Sequence, residues 1–151
     1  MAVVNLERKS GGHFRAESGG QYQRKMQHGL CPEGWHVASD SEFTALTDSL
    51  GGFSVAGGKL KSTRTEPDAH PRWDLPNAGA TDESCFSGLP GSYRSWQGYF
   101  GVIGEQGFFW SSTQSTSTHA WVWKLEYYNN NAIRFESDKN TGHSVRCIRD
   151  N

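Results

Sequence analysis

The most regular alternation of apolar and polar residues lies at 120–128, which reads Ala-Trp-Val-Trp-Lys-Leu-Glu-Tyr-Tyr. A period of two sends successive side chains to opposite faces, so this segment predicts a strand. Trp121, Trp123, Leu125 and Tyr127 share an apolar face, expected to meet the core. Val122, Lys124, Glu126 and Tyr128 share the mixed face, expected to meet solvent or a ligand. Apolar residues at 108–112 predict a neighbouring strand. A turn at Asn129-Asn130-Asn131 leads to a strand at 132–135, and a turn at 139–142 leads to a last strand at 144–149.

A helical period appears once with clarity. Phe43, Leu46 and Leu50 recur at spacings of three and four. Ser39 precedes them and Glu42 follows three residues later, the pattern of a capping box. Gly51-Gly52 ends the helix, which is predicted over 40–50. A second, shorter helix is expected at 55–61, weakened by Gly57 and Gly58 at roughly 1 kcal/mol each against Ala. Residues 31–37 read as a turn into a short strand. Before them, Val3, Val4 and Leu6 suggest a first strand, and Gly11-Gly12 and Gly19-Gly20 suggest loop. Pro67, Pro71 and Pro76 make 62–81 a loop, with Trp73 and Leu75 expected to pin it to the core. Gly98, Gly101, Gly104 and Gly107 recur every third residue. No Walker lysine and no helix follow them, so the stretch reads as hairpin or loop rather than a phosphate cradle. The sum is a single α+β domain over 1–151, with one or two helices packed on short antiparallel strands and long irregular loops.

Composition sharpens this picture. Hydrophobic content is only 34%, but aromatics reach 13% with six Trp, so a few large anchors replace many aliphatic ones. Net charge is −1 with both signs interspersed, which argues against nucleic acid or an anionic membrane as partner. No apolar run approaches the roughly 20 residues of a membrane span, so no membrane insertion is expected. Met1 to Val4 is too short for the core of a signal peptide. Of three cysteines, all of Cys31, Cys85 and Cys147 cannot pair. Either they are three buried, inert thiols, or Cys31 and Cys147 are bridged and Cys85 is free, which requires an oxidising compartment.

Candidate chemistry is sparse. The six histidines show no i, i+4 pair and no H-E-x-x-H, and no G-x-S-x-G elbow is present. Asp82 and Glu83 are adjacent and so face opposite ways in extended chain, a poor acid/base pair. No catalytic residue, metal or cofactor is therefore expected. Glu66-Pro67-Asp68 and Trp73-Asp74 bear a coincidental likeness to the Glu-Pro-Asn and Trp-Asn-Asp motifs of calcium-dependent lectins. The remaining candidate is the polar filling at 114–119 and 129–143. A plain solvated loop is one reading. The other is that Tyr, Ser, Thr and Asn beside fixed aromatic strands supply the adaptable contacts of a paratope.

Several ordered motifs carry a family likeness: Cys31-Pro32-Glu33-Gly34-Trp35-His36-Val37, Ala56-Gly57-Gly58-Lys59-Leu60-Lys61, Asn77-Ala78-Gly79-Ala80-Thr81, Leu89-Pro90-Gly91-Ser92-Tyr93-Arg94, Trp110-Ser111-Ser112-Thr113 and Ser144-Val145-Arg146-Cys147. Together they resemble the Fibrobacter succinogenes major paralogous domain from about residue 20 to 150; the first 20 residues match weakly. The resemblance implies a C-type-lectin-like fold with neighbouring chain ends and a long loop region above a small sheet. Some members are variable proteins of diversity-generating retroelements, rewritten by adenine-directed mutagenesis near the C-terminus. By that analogy the ligand-binding positions are Ser115, Thr116, Thr118, His119, Val122, Lys124, Glu126, Tyr128, Asn129, Ile133, Phe135, Ser137, Asp138, Asn140 and Thr141. Trp121, Leu125, Arg134, Lys139 and Gly142 would be framework. Lys124 and Glu126 are not products of a rewritten Asn codon. Periodicity buries Ile133 and Phe135, whereas the analogy exposes them, and the analogy is preferred.

The function expected is a non-enzymatic module that displays a variable surface at about 113–143 to a protein or glycan on a cell or virus surface. An extracellular or surface location suits it. The alternatives are a calcium-dependent sugar-binding lectin or adhesin domain, and an enzyme related to formylglycine-generating enzymes. Those enzymes use a reactive cysteine pair, and here Cys31 and Cys147 are far apart in sequence. Division into scaffold and surface makes Trp121→Ala costly, by roughly 3–5 kcal/mol. It makes Asn129→Tyr neutral within about 0.5 kcal/mol.

Overall fold

The computed structural model describes residues 30–101 and 103–150. The segments at Val3 to Leu6 and at the two early Gly-Gly pairs lie outside those residues. In chain order the elements are β1 (Trp35–Val37), α1 (Asp40–Ser49), α2 (Phe53–Leu60), β2 (Gln106–Gln114), β3 (His119–Glu126), β4 (Ile133–Asp138), β5 (Ser144–Val145) and β6 (Cys147–Arg149). Residues 61–105 form the long irregular region between helices and sheet, crossed by a few isolated bridges such as Lys61 with Gly88 and Ser92 with Gly107.

Four strands form one sheet in the order β4-β3-β2-β5, and β1 and β6 form a separate pair. β3 runs antiparallel to both neighbours, but β2 and β5 are parallel, with Phe109 opposite Ser144 and Trp110 opposite Val145. The sheet is thus mixed, which corrects the all-antiparallel expectation. The expected last strand is also two. Its first half joins the large sheet, and its second half leaves at Arg146 to pair with β1, Val37 opposite Cys147. Ala38 N–H donates to the Arg146 carbonyl at 3.0 Å and fixes this crossing. The Cys31–Cys147 disulfide closes the same corner across a sequence separation of 116, and Cys85 is free and exposed. The bridged reading of the cysteines therefore holds.

The capping box forms as predicted. Ser39 Oγ accepts from Glu42 N–H, and Glu42 accepts from Ser39 N–H at 2.7 Å. α1 buries Phe43 against Trp123, ring centroids 5.6 Å apart and stacked, and Phe86 meets Phe43 and Phe109 edge-on. These rings with Leu60, Trp73, Leu125 and Ala132 make the main core between helices and sheet. The two glycines that weaken α2 are required by close approach. A Cβ at Gly57 would stand 2.1 Å from the Asn131 carbonyl oxygen, and one at Gly58 would stand 2.4 Å from the Gly79 carbonyl oxygen. Trp73 anchors the long loop, fully buried, with its indole N–H donating to the Gly88 carbonyl. Leu75 does not share that role, being 66% exposed.

The other face of the sheet is not bare. Phe108, Trp110, Ala120 and Val122 form a second core, joined by half-buried Phe135 and Val145. β3 is an interior strand with both faces covered along most of its length, so period-two alternation does not separate core from solvent there. Val122 is completely buried and Glu126 is 3% exposed, which corrects the expectation that both face solvent. Trp121, expected in the core, is only half-buried. It is covered by the Arg134 guanidinium, 3.3 Å above its ring.

Candidate ligand-binding face

Register decides which side chains share the second face. In an antiparallel pair directly opposed residues point the same way. Val122 opposes Phe135 and Trp110, Lys124 opposes Ile133 and Phe108, and Ala120 opposes Ser137. Over β2 this face is roofed by two rings. His143 stacks on Phe108 at 5.2 Å and meets Trp110 edge-on at 4.7 Å, and Tyr93 meets Phe108 edge-on at 5.4 Å. On the same face of β3 Ala120 and Val122 are buried as well, while Lys124 on β3 and Ile133, Phe135 and Ser137 on β4 are half-buried.

His143 was not legible as part of a site, and neither was Tyr93. Burial pushes the His143 imidazole down to about 4, so it is neutral at physiological pH, with Nε2 hydrogen-bonded to Ser137 Oγ at 3.0 Å. The roof is thus an uncharged aromatic layer. The charge nearby belongs to Lys124, whose ammonium is 2.7 Å from Glu126. Burial works against the Glu126 carboxylate, but hydrogen bonds from Lys124, Tyr128 and Asn129 outweigh it and hold the group below the ordinary range.

Two loops meet at the end of this face. The β2–β3 loop carries Ser115, Thr116 and Thr118, with His119 opening β3, and the β4–β5 turn carries Asn140 and Thr141, with Asp138 closing β4. Lys139 clamps them together: its ammonium donates to Gln114 Oε1 and to the Thr116 and Ser117 carbonyls, and its N–H donates to the Thr118 carbonyl. His119 opposes Asp138 at the same end. Thr116 and Asp138 shape their own turns, Thr116 Oγ1 accepting from Thr118 and His119 N–H and Asp138 accepting from Asn140 N–H. Thr118 and Asn140 present free surface, and His119 and Thr141 are half-buried beside them.

Of the fifteen positions the sequence suggested, eleven gather here. Four do not serve as contacts on this face. Val122 and Glu126 are buried. Tyr128 and Asn129 lie past the other end of β3, roughly 25 Å along the strand from His119. Asn129 is a structural residue there: its amide donates to Glu126 at 2.6 Å, its Oδ1 accepts from Asn131 N–H, and its carbonyl accepts from Lys61. Lys61 itself is fully buried, donating to the Ala78, Glu126 and Asn129 carbonyls. Burial lowers its ammonium to about 8 against the pull of Glu126. Its sequence signals were its place at the end of a glycine-weakened helix and in the motif running from Ala56 to Lys61, and neither gave it a buried role.

Elsewhere the Glu66-Pro67-Asp68 segment is held by arginines. Arg72 pairs with Glu66 at 2.7 Å and donates to the Asp68 carbonyl. Among the described residues no three His, Cys, Asp or Glu side chains are grouped to hold a metal ion. No described helix is long and apolar enough to cross a membrane.

Fold and face together define a disulfide-closed α+β domain, with a mixed sheet whose second face and end loops form one surface. The family model of the Fibrobacter succinogenes major domain matches residues 5–149, and the chain belongs to that family. The match extends into the first 20 residues, which had shown little likeness. No curated protein and no solved structure matches the chain.

Proposed function

We propose that this chain is a non-enzymatic binding module on a C-type-lectin-like scaffold, the variable protein of a diversity-generating retroelement, which holds a protein or glycan ligand from a cell or virus surface. One observation carries the reading. Two polar loops distant in sequence are clamped by Lys139 at the end of a sheet face whose floor is Lys124, Ile133, Phe135 and Ser137. Side chains on that rim can change while the backbone beneath them stays fixed, which is the arrangement a diversified paratope needs. The pairing of β1 with β6 and the long loop region beside the sheet support the lectin-like scaffold.

The DNA beside the gene tests the reading. A reverse transcriptase and a template repeat of the segment encoding about 113–143 are expected, with adenines opposite the Thr118, Asn140 and Thr141 codons. A neighbourhood without either would remove the retroelement from the account. A thermal melt with and without calcium separates this reading from a calcium-dependent lectin: the melting temperature is expected to stay constant, and a rise with calcium would favour the lectin.

A further inference from the structure

The large sheet runs β4-β3-β2-β5, so β4 is an edge strand. Its inner side is fully engaged: Ile133 to Asp138 all pair with β3, without a register shift. In an antiparallel strand alternate residues turn their N–H and C=O away from the neighbour, so the outer side of β4 carries a row of backbone groups. Among the described residues, no backbone group of 133–137 is bonded to anything outside β3. Natural proteins blunt such an edge with Pro, Lys, a bulge or a covering element. β4 reads Ile-Arg-Phe-Glu-Ser-Asp, with no Pro, Gly or Lys and no bulge. An edge this regular is a template for another strand.

The charges of β4 say which strand. Ile133, Phe135 and Ser137 share one face and are half-buried, while Arg134 and Glu136 share the other and are exposed. A second β4, laid antiparallel about a two-fold axis normal to the sheet, sets residues of the same face opposite each other. Centred on Arg134 or on Glu136, that pairing opposes like charges, which is destabilising. Centred on Phe135, it opposes Arg134 with Glu136 of the second copy twice over, and Ile133 with Ser137. Both charges are ready for it. Arg134 gives Nε and Nη2 to Asp40 and lies over the Trp121 ring, which fixes the guanidinium. Its Nη1 has no partner among the described residues, and neither has the Glu136 carboxylate. A guanidinium already held in place loses little freedom on meeting a second carboxylate. On the other face Phe135, which the second core leaves half-buried, meets its own copy across the axis.

We propose that β4 pairs antiparallel with β4 of a second copy of this chain, centred on Phe135, joining the two large sheets into one. A two-fold axis normal to the sheet keeps like faces together. Both copies therefore present Ile133, Phe135 and Ser137 on the same side of the joined sheet, with their end loops pointing in opposite directions. The inference concerns the sheet edge and stands independently of the binding-module reading.

Sedimentation equilibrium on the whole chain tests this, with Cys85→Ser throughout so that the exposed thiol forms no bridge of its own. A dimer is expected. Glu136→Arg sets like charges opposite each other and is expected to weaken it about tenfold or more. That variant should melt with the unmodified chain, since the side chain it replaces is exposed. Arg134→Glu is expected to weaken the dimer likewise, and an equal mixture of the two variants to form a heterodimer, because mixing restores both opposite-charge pairs. Cysteine scanning reads the register without Arg134, whose loss also removes the Asp40 contact. Directly opposed Cα atoms stand about 4.5–5.5 Å apart, within disulfide reach, so Phe135→Cys is expected to bridge two copies on mild oxidation. Glu136→Cys opposes Arg134 in this register and is expected not to bridge. A monomer at every concentration, or a dimer indifferent to Glu136→Arg, would overturn the inference. Bridging by Glu136→Cys in place of Phe135→Cys would overturn it too. A monomer whose 133–137 amides resist hydrogen exchange would assign the edge to another segment of the same chain and exclude the second copy.

Discussion

Neighbouring residues on one strand have opposite energetics here, and the two tryptophans of β3 show it. Trp123 is buried, stacked between Phe43 and Phe53, with its indole N–H donating to Asp40. Trp121 keeps one side for Arg134, which also grips Asp40 through two 2.7 Å hydrogen bonds. Trp123→Ala is expected to cost roughly 3–5 kcal/mol in urea unfolding. Trp121→Ala is expected to cost about 1–2 kcal/mol, the scale of a cation–π contact with its packing. Alternation alone put both rings in the core and set no ranking between them. Asn129 departs from its expectation as well. Asn129→Tyr removes a donor from the buried Glu126 carboxylate and is expected to cost about 1–3 kcal/mol in the same assay, not to be neutral. Neither departure was legible, because each depends on what lies across a sheet or turn from the residue.

At the scale of elements, the N-terminal side of α1 and the end of β6 are held by a histidine clasp. His36 Nδ1 meets Asp150 at 2.5 Å and Nε2 meets Glu42 at 2.9 Å. The Asp150 hydrogen bond raises the imidazole above its ordinary value, with Glu42 assisting and burial opposing. A raised folded-state pKa gives stability that is complete below the unfolded value of roughly 6.5 and fades as pH rises through the folded value. The groups are about one-third exposed or more, so solvent screening keeps the effect under about 1 kcal/mol. The melting temperature is expected to fall by at most about 2–4 °C across that window in the wild type and to stay level in His36→Gln. The Cys31–Cys147 bridge works at the same corner through the unfolded chain, whose loop it closes across 116 residues. Replacing both cysteines by serine is expected to lower unfolding free energy by roughly 2–5 kcal/mol at unchanged spectra, read by chemical denaturation. α1 was fully legible, since its cap and period are local. β6 was not, since the switch at Arg146 from one sheet to another leaves no local mark.

Across the whole molecule, what the sequence revealed was the order of elements, the helix pair and the loop-rich middle. What it concealed was depth. An interior strand covered on both sides defeats a two-face reading, which is why Val122 and Glu126 were placed on the surface. The Gly98–Gly107 stretch reads in sequence as hairpin or loop, but the exposure of Trp96, Tyr99 and Phe100 does not show there, because aromatics in a sequence ordinarily signal burial. Under the proposed function the molecule divides into a rigid scaffold and a permissive rim. Randomising Thr118, His119, Asn140 and Thr141 together, and Val122 and Trp123 in a parallel library, measures that division directly through the fraction of displayed clones that stay folded on heating. Most rim clones should melt within a few degrees of the wild type, while clones of the buried pair should be largely unfolded. Rim clones that unfold as often as the buried ones would contradict the account.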